Sequence, residues 1–180
     1  MRVLRSHGSK PKYYHKIIGG NFRLDAIQAA IVSAKLLHLD NWTAARQSNA
    51  QRYDQLLGNG ALPIVLPRVA AGRHIFNQYV IRSSRRNELQ AFLQKQSIGT
   101  EIYYPVPMHL QECFAYLEQK PGDFPESEHA ANETLALPVY PELTEAQLHY
   151  VVQSIREFFA ISNDRDVIGT AQAPLPVGKE

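Results

Sequence analysis

Apolar residues recur at helical spacing along the first third of the chain. The period starts at Leu24 and Ile27 and continues as far as Leu56. It predicts one long helix from about residue 24 to residue 57, bent near Asp40. A Gly-Asn-Gly run follows this segment, and such a run is typical of the point where a helix ends.

A second helical pattern lies near the C-terminus. Thr144 and Gln147 have the spacing of a capping box, and Leu143 is placed to pack on Leu148. An apolar face follows and continues to Phe159, which predicts an amphipathic helix. Residues 161–180 contain prolines and glycines without a period, and we interpret them as a flexible tail.

Between these helices the pattern alternates between short extended and short helical segments. Extended segments are predicted at 64–66, 75–83, 100–104 and 135–140, and helices at 87–97, 109–117 and 126–134. This order predicts an α+β fold in which helices cover a small sheet.

Composition narrows the class of protein. The 180 residues are 44% hydrophobic and 20% charged, with a net charge of +2, which is typical of a soluble globular chain. The single cysteine, Cys113, excludes an internal disulfide, fits a reducing cytoplasm and is expected to be an inert thiol. The sequence shows no membrane span, signal peptide or metal-binding motif. The acidic residues near His129 are interpreted as a solvated patch.

The first 24 residues are basic and contain no acid. Their cations are Arg2, Arg5, Lys10, Lys12, Lys16 and Arg23. Such an arm is consistent with a solvated chain end or with a site for a phosphorylated ligand. Nucleic-acid binding is not predicted, because aromatic residues are not interleaved in the pattern that base stacking requires.

Gly19, Gly20 and Asn21 lead directly into the first helical pattern. Backbone N–H groups at a helix N-terminus favour anions, and the two glycines permit positive φ and close approach of a ligand. Asn21 adds an amide and also has the side chain of a helix cap. The two readings are therefore a phosphate nest and an ordinary capped helix after a glycine turn.

Four blocks of sequence carry a family resemblance. They read GGNFRLDAIQAA at 19–30, FNQYVIR at 76–82, GTEIYYPVPMH at 99–109 and LALPVYP at 135–141. In this order and spacing the chain resembles the DegT/DnrJ/EryC1/StrS family of pyridoxal-phosphate-dependent sugar aminotransferases, over about residues 1–160. The resemblance is to the C-terminal part of that family.

The resemblance implies a domain organisation. Residues 1–23 would be a remnant of the large cofactor domain, and residues 24–160 the small C-terminal domain of a fold-type I aminotransferase with its bridging helix. No lysine of the chain stands in the family's serine-preceded, glycine-followed Schiff-base setting. The chain therefore has no predicted catalytic residue and is expected to be inactive alone.

The resemblance also implies site residues. Asn21 and Gly20 would contact the phosphate of pyridoxal phosphate in a neighbouring subunit, in trans and only with a complementing large domain. Arg23 would contact the substrate, although a surface salt bridge with Asp25 is the alternative.

The second implied group lies on a proline-rich loop. Tyr103, Tyr104 and His109 would contact the substrate sugar or its diphosphate, and Tyr14 and His15 would assist. The alternative for His109 is a half-buried histidine whose hydrogen bonds are satisfied within the protein.

The implied activity is amino transfer from glutamate to a nucleotide-linked keto-sugar in polysaccharide or natural-product sugar biosynthesis. The expected partners are a second copy in a homodimer or a separate chain that supplies the large domain. The alternative function is a non-catalytic dimerising or binding module, or a truncated gene product. Without a large domain, Ile27, Ile31 and Trp42 would be exposed, which predicts self-association.

Overall fold

The computed structural model of the chain describes residues 1–70 and 72–169. In this part of the chain the elements are α1 (Ala26–Leu36), α2 (Leu39–Leu57), β1 (Tyr79–Arg82), α3 (Arg86–Lys95), two short 3-10 helices (Met108–Leu110 and Glu112–Leu117), α4 (Pro125–Glu133), β2 (Thr134–Leu137) and α5 (Glu145–Gly169). The chain divides into two compact units, Met1–Asn41 and Trp42–Glu180. Each unit is described by itself.

The first unit combines an irregular N-terminal stretch with α1. An antiparallel bridge joins Ser6 to Asn21 and closes this stretch into a compact turn. Gly8 adopts a φ of +73°, and a Cβ there would lie 1.6 Å from the carbonyl oxygen of Ile17. Only glycine fits that position, so the turn depends on it.

The long helical region is confirmed, but it forms two helices rather than one. The N–H groups of Leu37 and His38 both donate to the carbonyl oxygen of Lys35. These short-range hydrogen bonds tighten the backbone at the end of α1. A new helix, α2, then begins at Leu39. The interruption lies slightly before Asp40, where the sequence predicted a bend.

The second unit contains a continuous hydrophobic core. Its side chains come from α2, the two strands, α3 and α5. The largest fully buried side chains are Tyr53, Tyr79, Ile81, Leu89, Leu93, Leu135, Leu148, Val152, Ser154 and Ile155. The core therefore sits between the sheet and the helices, as an α+β arrangement requires.

The sheet is smaller than the sequence predicted. β1 and β2 pair antiparallel, with Tyr79 opposite Leu137 and Arg82 opposite Thr134. The segments predicted as strands at 64–66 and 100–104 form only isolated bridges, from Val65 to Arg82 and from Glu101 to Ala136. Prolines beside both segments remove backbone donors, and this stops the bridges from extending into strands.

Two buried tyrosines link α2 to the sheet. The Tyr53 hydroxyl donates to the Pro138 carbonyl at 3.0 Å, and the Tyr79 hydroxyl donates to Asp54 at 2.7 Å. Their rings lie 4.9 Å apart between centroids. Burial raises the pKa of both hydroxyls, and the hydrogen bond to Asp54 raises that of Tyr79 further.

Arg86 joins the start of α3 to the end of α4. It is buried, and its guanidinium donates to the carbonyl oxygens of Ala131 and Thr134 at 2.9 and 3.0 Å. A third donation goes to the side chain of Asn87 at 2.7 Å. Burial lowers the pKa of Arg86, yet arginine keeps its charge at any working pH.

The predicted capping box of the last helix is confirmed. The Gln147 side chain accepts from the Thr144 N–H at 2.9 Å, and the Gln147 N–H donates to the Thr144 hydroxyl at 3.3 Å. α5 then continues to Gly169, so residues 161–169 are helical where the sequence predicted a tail. The rest of that predicted tail, 170–180, lies outside the described residues.

Candidate functional site

The predicted phosphate contact lies in the first unit, on an exposed corner. The Asn21 side-chain oxygen accepts a hydrogen bond from Nε of Arg23 at 2.9 Å, and both side chains are exposed. This leaves the Asn21 amide hydrogens and the terminal guanidinium nitrogens of Arg23 without a protein partner among the described residues. The two side chains together present several donors and one positive charge to solvent.

The glycines beside them do not form the predicted nest. Positive φ occurs at other glycines, including Gly8, and not at Gly19 or Gly20. The N–H of Gly20 donates to the carbonyl oxygen of Leu4 at 3.0 Å. A Cβ on Gly20 would lie 2.5 Å from the ring of Phe22, so the close approach that this glycine permits is to the protein's own side chain.

The cap of α1 is also different from the one predicted. Asp25, not Asn21, precedes the helix, and its carboxylate accepts from the N–H groups of Ile27 and Gln28 at 2.9 and 3.3 Å. The donors that would hold an anion at this helix end are therefore occupied. The alternative salt bridge of Arg23 with Asp25 does not form within the described part of the chain.

Tyr14 and His15 belong to the same unit. The Nδ1 atom of His15 lies 2.7 Å from the carbonyl oxygen of His7, and His15 pairs with Ser9 in an isolated bridge. Tyr14 is 70% exposed. His15 therefore helps to fix the turn, while the Tyr14 ring remains available to a ligand.

The other predicted residues line an open cavity in the second unit. Its volume is about 640 Å³, and its walls come from the 103–109 loop, the 3-10 helices and α4. Tyr103 and Tyr104 are among its lining residues, and their rings meet edge to face with centroids 6.1 Å apart. The lining of the cavity thus combines apolar side chains with hydroxyl-bearing aromatic rings.

His109 lies in the wall of this cavity, nearly buried, with 8% of its side chain exposed. Its Nε2 lies 3.1 Å from a carboxylate oxygen of Glu128, and its ring packs on Phe124 at 4.8 Å between centroids. The same oxygen of Glu128 accepts from the N–H of Gly122 at 2.8 Å. This arrangement matches the alternative reading of His109 as a satisfied histidine, and it also fixes the orientation of the ring.

Glu128 contacts His109, and the sequence pattern does not predict this contact. The sequence indicates a solvated patch here, but in the structure Glu128, on α4, contacts His109 and the N–H of Gly122. The backbone hydrogen bond from Gly122 is the main cause of a lowered pKa at Glu128, and the hydrogen bond with His109 lowers it further. The position of Glu128 depends on the irregular loop between the second 3-10 helix and α4. Hydrophobic periodicity does not predict the course of such a loop.

Two further findings concern the whole of the described chain. No helix in it combines the length and apolar character needed to cross a bilayer. No three histidine, cysteine or acidic side chains in it come together as a metal site.

Comparison with known proteins decides the family. The sequence model of the DegT/DnrJ/EryC1/StrS aminotransferase family matches residues 1–156. The chain belongs to this family.

The chain is also similar to individual proteins and to solved structures. The chain is 53% identical over 160 residues to a "pleiotropic regulatory protein" of Geobacillus stearothermophilus, covering 88% of this chain and 43% of that protein. It is 38% identical to the dTDP-3-amino-3,4,6-trideoxy-alpha-D-glucose transaminase of Streptomyces venezuelae, covering 88% and 42%. The crystal structure of S. venezuelae DesV superposes with a TM-score of 0.82 at 37% identity, covering 87% of this chain and 42% of that one.

The chain therefore spans less than half the length of these DegT/DnrJ/EryC1/StrS relatives. Pyridoxal phosphate is the cofactor of the family. The described residues suit its phosphate group, but they do not provide a lysine for the Schiff base. Asn21 and Arg23 offer donors suited to a phosphate. A Schiff-base lysine needs a desolvated setting, but every described lysine is exposed and none lines the cavity.

Proposed function

We propose that this chain is the C-terminal portion of a pyridoxal-phosphate-dependent aminotransferase that acts on a nucleotide-linked keto-sugar. In this proposal residues 24–160 form the small domain with its bridging helices, and residues 1–23 belong to the large cofactor domain. The family membership and the transaminases among the relatives support it. The glutamate donor and a cytoplasmic location are part of the same proposal.

The observation that carries the proposal is the Asn21–Arg23 pair. A phosphate dianion is bound well by an amide and a guanidinium that are already hydrogen-bonded to each other, because little side-chain freedom is lost on binding. Both side chains are exposed in the isolated chain. This suits a contact made in trans, to cofactor held by a neighbouring subunit, and leaves Arg23 also able to reach an anionic substrate.

The 103–109 loop provides the proposed sugar contacts. Tyr103 and Tyr104 bring aromatic rings and hydroxyls to the lining of the cavity, and this combination suits a sugar ring. Glu128 holds the His109 ring by one nitrogen, so the other nitrogen keeps a fixed direction. We assign these three residues to substrate binding.

The chain is not proposed to be active alone. Pyridoxal phosphate supplies the electron-withdrawing ring on which amino transfer depends, and it needs a lysine to carry it and to move protons. The described lysines are all exposed, and none of them has the desolvated setting that this role needs. A separate large-domain chain or a longer protein would supply it.

The first test is a titration of the purified chain with pyridoxal phosphate, followed by borohydride reduction and peptide mass spectrometry. We expect weak labelling spread over several exposed lysines, since none of the lysines that the structure describes is desolvated. One stoichiometric adduct at a single lysine would overturn the claim that the Schiff-base residue is missing.

The second test is complementation. The part of the S. venezuelae transaminase that this chain does not match is co-expressed with it, and amino transfer is measured in the purified complex. Asn21→Ala should reduce activity at least tenfold, while Gln51→Ala on the exposed side of α2 should leave it unchanged. A complex that forms but has no activity would contradict the proposal.

A second candidate is a non-catalytic dimerising or binding module, or a truncated product without a role of its own. The exposed apolar residues of α1 favour an interaction surface, and the relative from G. stearothermophilus bears a regulatory name. A neighbouring reading frame that encodes the lysine-bearing domain would favour the enzyme. A gene without such a neighbour would favour the module.

A further inference from the structure

The turn at residues 58–60 follows α2 and does not line the cavity of the candidate site. The N–H of Gly58 donates to the carbonyl oxygen of Asp54 at 2.9 Å, so the last helical hydrogen bond reaches the start of the turn. All three residues of the turn are exposed. Among the asparagines of the chain, Asn59 alone precedes a glycine. A glycine nitrogen carries no side chain beside it, so it can approach the preceding asparagine side chain closely.

The Asn59 side chain is turned towards the residues that follow it. Its Oδ1 accepts a hydrogen bond from the N–H of Ala61 at 3.2 Å. Such a contact with the residue two positions on folds the side chain back towards the intervening peptide group. The N–H of Ala61 also stabilises the negative charge that develops on Oδ1 when a nucleophile attacks Cγ. The carboxamide carbon of Asn59 is therefore both oriented and activated.

The backbone nitrogen of Gly60 is the matching nucleophile. Its N–H donates to no acceptor among the residues that the structure describes. Gly60 has a φ of +72°, and a Cβ built there would meet no atom within 4 Å. Because the space beside Gly60 is open, the turn can bring this nitrogen towards Cγ of Asn59 without a steric clash or the loss of a hydrogen bond from this N–H.

We propose that Asn59 is a site of spontaneous deamidation in the folded protein. Hydroxide removes the proton from the Gly60 nitrogen, which bonds to Cγ of Asn59 and closes a five-membered succinimide ring. The bond from Cγ to the carboxamide nitrogen breaks, and this nitrogen takes a proton from water and leaves as ammonia. Water then opens the ring at either carbonyl, which gives aspartate or isoaspartate. The reaction consumes one water, releases one ammonia and regenerates the hydroxide.

The modification changes the end of α2 in two ways. The new carboxylate lowers the net charge of +2 by one, and it follows the C-terminus of the helix, where the helix dipole disfavours negative charge. The isoaspartate product also lengthens the backbone by one methylene group. Both changes weaken the last turn of α2, which contributes Leu57 to the core. The inference rests on this turn alone and does not depend on the proposed aminotransferase function.

The experiment is an incubation of the purified full chain in ¹⁸O-labelled water, at neutral and at mildly alkaline pH. Peptide mass spectrometry then locates each new carboxylate by its label. We expect labelling at Asn59 to be about tenfold faster than at any other asparagine, to accelerate with pH, and to give both aspartate and isoaspartate. Faster labelling at another asparagine, or aspartate without isoaspartate, would overturn the proposal.

A parallel incubation in urea separates the effect of the fold from that of the sequence. The unfolded chain contains the same asparagine–glycine pair without the turn. We expect similar rates at Asn59 in the folded and the unfolded chain, because the turn leaves the nucleophile and the carboxamide free to meet. Labelling of Asn59 confined to the unfolded chain would show that the fold protects it and would contradict the proposal.

Variants identify the two reacting groups. Asn59→Gln should abolish labelling at this position, because the same attack would have to close a less favourable six-membered ring. Gly60→Ala should slow labelling of Asn59 about tenfold, because the added Cβ shields the nitrogen. Asn41→Gln, exposed on α2, is the control and should leave the rate at Asn59 unchanged. Circular dichroism checks that each variant folds, and an undiminished rate in folded Gly60→Ala would refute the assignment.

Discussion

Tyr53 and Tyr79 are the clearest case in which single residues control the behaviour of this protein. Both rings are buried, and both hydroxyls donate to oxygen atoms that the fold places in front of them. Ionisation of either hydroxyl would put a negative charge beside an acceptor, within the core. The pKa of each hydroxyl is therefore raised above its ordinary value near 10.

This predicts a loss of stability at alkaline pH. A group whose pKa is higher in the folded state stabilises fully below its unfolded pKa and loses that contribution as pH rises beyond it. The free energy of unfolding should therefore be level to about pH 9 and fall above about pH 10. The slope should be about 1.4 kcal/mol per pH unit for each buried tyrosine. Urea unfolding between pH 7 and pH 11 measures it.

A substitution separates the contribution of Tyr79 from that of Tyr53. Tyr79→Phe should remove its share of the alkaline slope and cost about 1 kcal/mol at pH 7, since Asp54 loses a donor. Tyr116, which is 74% exposed, provides the control Tyr116→Phe with an unchanged slope. An unaltered slope in Tyr79→Phe would refute the argument.

Residue-level roles were the hardest to predict from sequence. Asn21 and Asp25 both have side chains that cap helices, and only the three-dimensional turn decides which one precedes α1. The contact between His109 and Glu128 spans nineteen positions of irregular chain, for which no spacing rule exists. Whether Asn21, Arg23 and the 103–109 loop contact ligands stays a prediction.

At the scale of elements, some side chains connect the end of one element to the start of another. Arg86 begins α3 and donates to carbonyl oxygens at the end of α4 and the start of β2. The Ala131 oxygen lies in the last turn of α4, and the last carbonyl oxygens of a helix have no partner within the helix. The buried guanidinium thus supplies a donor that the helix itself cannot supply.

We expect Arg86→Lys to lower the free energy of unfolding by about 2 kcal/mol, because one ammonium cannot reproduce the two separate donations. Chemical denaturation at neutral pH measures the change. Arg85→Lys is the neighbouring control. The pair of Arg85 with Glu88 lies at the surface, so this change should cost less than Arg86→Lys. Equal losses in the two variants would show that the buried donations are unimportant.

The cap of α5 gives a second prediction at this scale. Thr144→Ala removes the hydroxyl that accepts from Gln147 and should cost about 1 kcal/mol. Gln153→Ala, further along the exposed side of the same helix, should change stability by less than about 0.5 kcal/mol. Thermal unfolding followed by circular dichroism compares them, and a cap variant as stable as the control would count against the capping box.

Elements were predicted well where a local pattern determines them. The capping box located α5, and the apolar period located the α1–α2 region. The strands were predicted too long, because pairing depends on partners distant in sequence and on the prolines beside 64–66 and 100–104. The end of α5 was missed because the apolar period of the sequence stops at Phe159.

At the scale of the whole molecule, the first helix is the unusual feature. Apolar side chains of α1 and the residue after it are between 52% and 82% exposed, namely Ile27, Ile31, Val32, Leu36 and Leu37. No residue of α1 is buried. Several exposed apolar side chains on one helix are typical of a surface that contacts another protein.

Self-association of the isolated chain is therefore expected. Sedimentation velocity at increasing concentration should show species larger than the 20.3 kDa monomer. Replacing Ile27 and Ile31 together with glutamine should shift the distribution towards monomer, while Gln28→Glu should not. A sharp monomer at all concentrations would exclude this role for α1.

The internal cap of α1 also has a kinetic consequence. The Asp25 carboxylate accepts hydrogen bonds from the first N–H groups of α1. The helix therefore needs no bound anion in order to form. A partner therefore meets a surface that already exists, and helix nucleation does not limit the encounter. The association rate constant should fall in the ordinary range for preformed protein surfaces, about 10⁵ to 10⁷ per molar per second.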